Sequence, residues 1–180
     1  MDTIKFIEQC LNEVHERLLK SLQGLNQDEI LWRPVAHANC IAEILWHLVR
    51  CEDRMVRSTI GLGPELWESR QWYKHFNCPR EQTMDTDYKL FKGPGRSAPL
   101  LEDLLAYLQE VHQDTLDKLH SLSADDLDRI PDRTYPERTI ALYLRHLIIH
   151  NNNHHGQVDY IRGLMQSGWD LPPGTGIVQP

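Results

Sequence analysis

Two histidines four positions apart, His150 and His154, stand in the most histidine-rich stretch of the chain, and a third, His47, precedes them by about a hundred residues. On a helix, residues four apart share one face with Cβ atoms about 5–6 Å apart, which lets two imidazoles chelate one metal ion. His47 alone reads as a hydrogen-bonded core imidazole, the commoner fate of a single inward histidine. Cys51, four residues after His47, could touch a metal or be an activated thiol. A buried, inert cysteine is the more ordinary state. His146 and His155 flank the pair and read as exposed side chains. Asn151, Asn152 and Asn153 read as a polar face, from which one amide could support a ligand from behind. Glu52, Asp53, Asp125, Asp126 and Asp128 read as solvated acids. The chain contains no phosphate-cradling P-loop, no Gly-rich dinucleotide fingerprint and no G-x-S-x-G elbow.

The elements that must position these residues follow from periodicity. Ile4, Ile7, Leu11, Val14, Leu18 and Leu22 alternate spacings of three and four, the stripe of an amphipathic helix. Leu101, Leu104, Leu108, Val111, Thr115 and Leu119 repeat that stripe at an offset of 97, and Glu13-Val14-His15 recurs as Glu110-Val111-His112. After a two-residue insertion the copies realign at an offset of 99, with Ile41-Ala42 on Ile140-Ala141 and His47-Leu48 on His146-Leu147. Four long helices are predicted, over 2–24, 39–61, 98–121 and 138–167. Asn39 is expected to cap the second, and Ser97 with Pro99 to open the third.

The second helix should present Ile41, Ile44, Leu48, Cys51 and Met55 to the core. The fourth should present Ile140, Tyr143, Leu147, His150, His154, Gln157 and Ile161. His150 and His154 thus replace Cys51 and Met55 of the first copy. The connection 62–97 is long, and its Trp67, Trp72, Tyr73 and Phe76 are too apolar for a solvated linker. Trp32 and Trp46 read as packing residues. An all-α fold is expected, a four-helix bundle with one long crossover built from two related helix pairs, as a single domain over 1–180.

At 180 residues the chain can bury a sizeable core, and its 41% hydrophobic and 25% charged residues are those of a globular protein. No apolar run is long enough for a spanning helix, and Met1-Asp2-Thr3-Ile4-Lys5 does not open a signal peptide. The four cysteines form no CxxC and read as reduced thiols of a cytoplasmic protein. A formal charge of -7 excludes the electrostatic footprint of a nucleic-acid binder.

Three segments together resemble the DinB-like family of helical-bundle proteins: Trp32-Arg33-Pro34, the run Asn39-Cys40-Ile41-Ala42-Glu43-Ile44-Leu45-Trp46-His47-Leu48, and His150-Asn151-Asn152-Asn153-His154-His155-Gly156-Gln157. The resemblance spans nearly the whole chain, and its sharpest element is the His-x3-His-x-Gly-Gln close preceded by a lone histidine. It implies an up-down-down-up bundle with 62–97 as the crossover, a homodimer, and one divalent metal ion held by His47, His150 and His154. Relatives include S-transferases and isomerases that use low-molecular-weight thiols. The residue after the second motif histidine is often arginine in the family; here it is His155.

Three neutral imidazoles would leave the ion's charge unneutralised and a coordination position open, the pattern of a reactive site. A bound water there would have its pKa lowered toward about 7, and a bound thiol would lose its proton. Nitrogen ligation suits Zn, Ni, Cu or Fe. The expected function is that of a metal-dependent thiol S-transferase or hydrolase acting on a small molecule, with 62–97 as lid or substrate wall. The alternative is a non-catalytic dimeric metal-binding or stress-response module. The repeat places the metal near the pseudo-twofold axis relating the helix pairs, in an asymmetric setting. The first copy offers His47 and Cys51 where the second offers His146 and His150.

Overall fold

The computed structural model describes residues 2–81 and 98–166, and within them the chain is all-helical. Helix α1, Thr3–Leu22, begins where the Asp2 carboxylate accepts from the Ile4 amide, and its predicted stripe from Ile4 to Leu22 is buried. Helix α2, Gln27–Leu31, is closed by a reciprocal capping box between Asn26 and Glu29. Helix α3, Ile41–Arg54, continues into a π-helical turn, Met55–Thr59. The cap of α3 is Cys40 rather than Asn39: Glu43 Oε2 accepts from the Cys40 amide at 3.1 Å. Buried Glu43 is itself held by the Arg33 guanidinium, with Nη2 donating to Oε1 at 2.8 Å.

The described part of the crossover folds as α4, Leu66–Ser69, and α5, Trp72–His75. Trp67, Trp72 and Phe76 gather around Trp46 and Tyr107, as their apolarity required. Trp32 departs from expectation, being 36% exposed. Helix α6, Leu101–His120, starts after Pro99 with Leu100 as cap, and Ser97 lies outside the described residues. The Gln27 side chain does what Ser97 was expected to do. Its oxygen accepts from the Leu101 amide and its nitrogen donates to Pro99 O, both at 2.9 Å. After a short 3-10 turn, Asp125–Asp128, comes α7, Ile140–Met165, capped by Thr139.

Helix α1 packs on α6 and α7, and α3 packs on the same two. Each half of the duplication is therefore clasped by the other. One apolar cluster surrounds Trp46, Trp67 and Tyr107; a second surrounds Leu11, Leu119 and Leu147. Between the two, every long helix turns polar inward: Asn12 and His15 on α1, Cys51 and Glu52 on α3, His112 and Thr115 on α6, His150 and Asn151 on α7. Among the described residues no helix is long and apolar enough to cross a membrane.

Candidate metal centre

The polar layer reaches the α3–α7 face at three imidazoles. His47 comes from the middle of α3, and His150 and His154 from successive turns of α7. Their Nε2 atoms converge: His47 to His150 at 3.1 Å, and His154 to His150 at 3.2 Å. Cys51 Sγ stands 3.5 Å from His47 Nε2. His47, Cys51 and His150 offer donor atoms within 4.8 Å of one another and could hold a metal ion. Cys51 is thus buried, as expected, and also turned toward the site. His146, one turn before His150 and exposed, has its ring centroid 5.9 Å from that of His150.

The far nitrogens of the two α7 rings are also engaged. His150 Nδ1–H donates to Asn151 Oδ1 at 3.2 Å, and His154 Nδ1 lies within hydrogen-bond distance of Gln157 Oε1, at 2.8 Å. The Asn151 amide can face only one way, because its Nδ2 donates to the Glu52 carboxylate at 2.7 Å. With its proton held on Nδ1 by Asn151, the His150 ring presents a lone pair at Nε2. His47 Nε2 and His154 Nε2 both converge on that lone pair, at 3.1 and 3.2 Å. Two nitrogens bound about 2.0–2.1 Å from one ion would lie about 2.9–3.4 Å apart for bond angles between right and tetrahedral. The observed separations fall inside that range, so the donor set fits a divalent cation.

Electrostatics point the same way. Burial first, then the neighbouring His154 and His150, lowers the His47 pKa to about 4. Burial likewise lowers those of His150 and His154. The three rings are held neutral, as ligands must be.

Behind the site the sequence reading needs correction. Glu52 and Asp53 are buried rather than solvated. Glu52 accepts from Asn151, and its other oxygen lies 3.9 Å from His112 Nδ1. Asp53 accepts from the Leu66 and Trp67 amides, both at 2.8 Å, and from the Tyr107 hydroxyl at 2.6 Å, which ties the crossover to the bundle. His155 is 2% exposed rather than on the surface: its Nε2 sits 3.0 Å from Ser21 Oγ and 3.1 Å from Asp159 Oδ2, clamping α7 to α1. The available signal for Glu52 was positional, since at an offset of 99 it is the repeat equivalent of Asn151.

That equivalence also locates the pseudo-twofold axis. His15 and His112 are repeat equivalents, and their rings stack at 3.8 Å and 3°. Glu52 and Asn151 are equivalents, and they hydrogen-bond. Residues that meet their own counterparts lie on the axis relating the halves, and His150 stands beside it, bonded to Asn151.

A family model described as the DinB superfamily matches residues 11–158. Among solved structures, one described as the conserved protein of locus from Enterococcus faecalis aligns with a TM-score of 0.75 at 22% identity, covering 91% of this chain and 97% of that one. At that identity the likeness speaks to the fold. No curated protein matches the chain.

Proposed function

The chain belongs to the DinB superfamily, and on that premise we propose a divalent-metal-dependent enzyme, a thiol S-transferase or hydrolase, whose ion is held by His47, His150 and His154. The observation that carries the reading is the convergence of three Nε2 atoms, with His150 Nε2 lying 3.1 Å from that of His47 and 3.2 Å from that of His154. When bound the ion would supply Lewis acidity, lowering the pKa of a coordinated water or thiol toward neutrality.

The chain's own residues divide the remaining work. Asn151 keeps the His150 ring in the tautomer that presents Nε2, and Gln157 holds the His154 ring at its Nδ1. Cys51 Sγ, 3.5 Å from His47 Nε2, lies close enough to add a thiolate to the donor set. The substrate is a small molecule, and the working form is a homodimer in the cytoplasm. A second reading, a non-catalytic dimeric metal-binding module, is favoured by one observation. The Glu52 carboxylate is engaged by Asn151 behind the site rather than offered to a substrate as a general base.

The deciding measurement is elemental analysis of untagged protein purified without chelator or metal-affinity resin, beside His150→Ala and His154→Ala. About one Zn, Ni or Fe per chain is expected, lost in both variants while their helical circular dichroism persists. Stoichiometric metal retained in either variant removes the three-histidine assignment. A wild-type chain that neither carries nor takes up metal removes the enzyme.

A further inference from the structure

Helices α3 and α7 pass the candidate metal centre in opposite senses, so Met55 comes near Tyr143 and His146 while Ile44 comes near Gln157 and Ile161. This leaves a cavity on each side of the histidines. The cavity toward Gln157 is about 480 Å³ and is walled by neutral residues, among them Pro34, Ile44, Asn153 and Tyr160. The one toward His146 is about 500 Å³ and different in kind. Met55, Leu142 and Tyr143 give it an apolar floor, while Arg138, Arg145 and His146 bring cationic or protonatable groups to its rim.

Its charge balance is positive. Against the two guanidiniums stands Glu137, which pairs with its neighbour Arg138 at 3.3 Å, both side chains half-exposed or more. Such a surface pair holds a cation weakly, and the Arg138 guanidinium also lies 4.2 Å over the Tyr135 ring. Arg145 has no ion-pair partner among the described residues. In a chain of net charge -7, a cationic concavity against apolar walls focuses the field locally on an anion that the rest of the surface repels. His146 connects this cavity to the centre, with its ring centroid 5.9 Å from that of His150.

We propose that the Arg138–Arg145–His146 cavity is the subsite for an anionic group of the substrate, a carboxylate on an otherwise apolar body whose reacting sulfur or carbonyl reaches the three histidines. Guanidinium is the group suited to it, since its planar fork can donate two parallel hydrogen bonds to one carboxylate. The inference rests on the metal reading above and adds to it the substrate's charge.

The test is calorimetric titration of the zinc-reconstituted chain with 3-mercaptopropionate and with its neutral amide, 3-mercaptopropionamide, after the metal content of each sample has been measured. The carboxylate is expected to bind at least tenfold more tightly than the amide. Arg145→Ala should remove most of that preference, and Arg145→Ala with Arg138→Ala should remove all of it. Metal content and amide affinity should stay unchanged, which a merely unfolded variant could not show. A metal-loaded chain with equal affinity for the two probes, with no binding of either, or with the preference intact in the double variant overturns the anionic subsite. A chain that takes up no zinc overturns the metal reading instead.

Discussion

At the scale of single residues, Asn151 does the most with the least. One amide fixes the tautomer of His150 with its oxygen and ties down the buried Glu52 carboxylate with its nitrogen. Removing it frees the His150 ring and leaves Glu52 short of a donor. Asn151→Ala is therefore expected to weaken metal affinity by about 10–100-fold, the usual cost of losing an outer hydrogen bond to a ligating histidine. Competition against a chromophoric chelator measures this, and an unchanged affinity would show that Asn151 does not orient His150. That three imidazoles gather was legible in advance, because a four-residue histidine pair in core register is visible in sequence and the resemblance supplied His47. Asn151 was legible only as a polar residue. Which of three consecutive asparagines turns inward depends on the rotation of α7, and the answer is 7% exposure for Asn151 against exposure for Asn152 and Asn153.

Elements carry a different kind of dependence. The crossover is fastened by Asp53, whose carboxylate takes the Leu66 and Trp67 amides, the Tyr107 hydroxyl and a 3.4 Å contact with the Arg50 guanidinium. Arg50 also holds Glu65 at 2.9 Å and lies 4.5 Å over the Trp67 ring. Asp53→Ala strips a buried anion from four donors, and a loss on the order of 3 kcal/mol in urea unfolding is expected. A loss under about 1 kcal/mol would mean that the aromatic packing alone seats the crossover. The four long helices could be read from the spacing of apolar residues, with a slip in the last stripe, where Gln157, expected to face the core, is exposed. The caps could not be read as well. Cys40 with Glu43 caps α3 where Asn39 was expected, and the start of α6 is satisfied by Gln27 from a different helix. An acceptor supplied across 74 residues of chain leaves no local pattern.

Over the whole molecule, the two apolar clusters are separated by a layer that every long helix helps to build. Such a layer makes stability depend on pH. His15 lies within it, its pKa lowered to about 4 by burial first and then by the charge of His112, with Glu52 pulling the other way. The unfolded chain takes up that proton near 6.5, the folded chain only near 4. Between those values the unfolded state binds more protons, so the His15 contribution is fully present above about pH 6.5 and is lost as pH falls toward 4. His15→Gln is expected to remove about one proton from the dependence of unfolding free energy on pH in that window. Urea titrations at stepped pH check it, and an unchanged slope would place the proton elsewhere. The layer itself escaped the sequence reading for a plain reason. Each helix contributes only two or three polar residues, and only the packing of α1 and α3 against both α6 and α7 brings them to one level.

The axis through Glu52 and Asn151 sets a limit on how alike the two halves of this chain can be. In a protein assembled from two identical halves, every residue on that line would confront itself. For His15 and His112 the arrangement is tolerable, since neutral rings stack. For Glu52 it is not, because two carboxylates sharing one dry site cannot both be ionised. Asn151→Asp recreates that meeting. One of the two acids should then stay protonated well above its ordinary pKa, and the variant should lose more stability at pH 7 than at pH 5, a comparison that urea unfolding at the two pH values makes directly. The same line divides the donors, with Cys51 on one side where His150 stands on the other. A single cluster with an odd number of imidazoles, set at the axis, is something two matching halves could not provide. Divergence at the seam is what lets a doubled scaffold gather three imidazoles in one place.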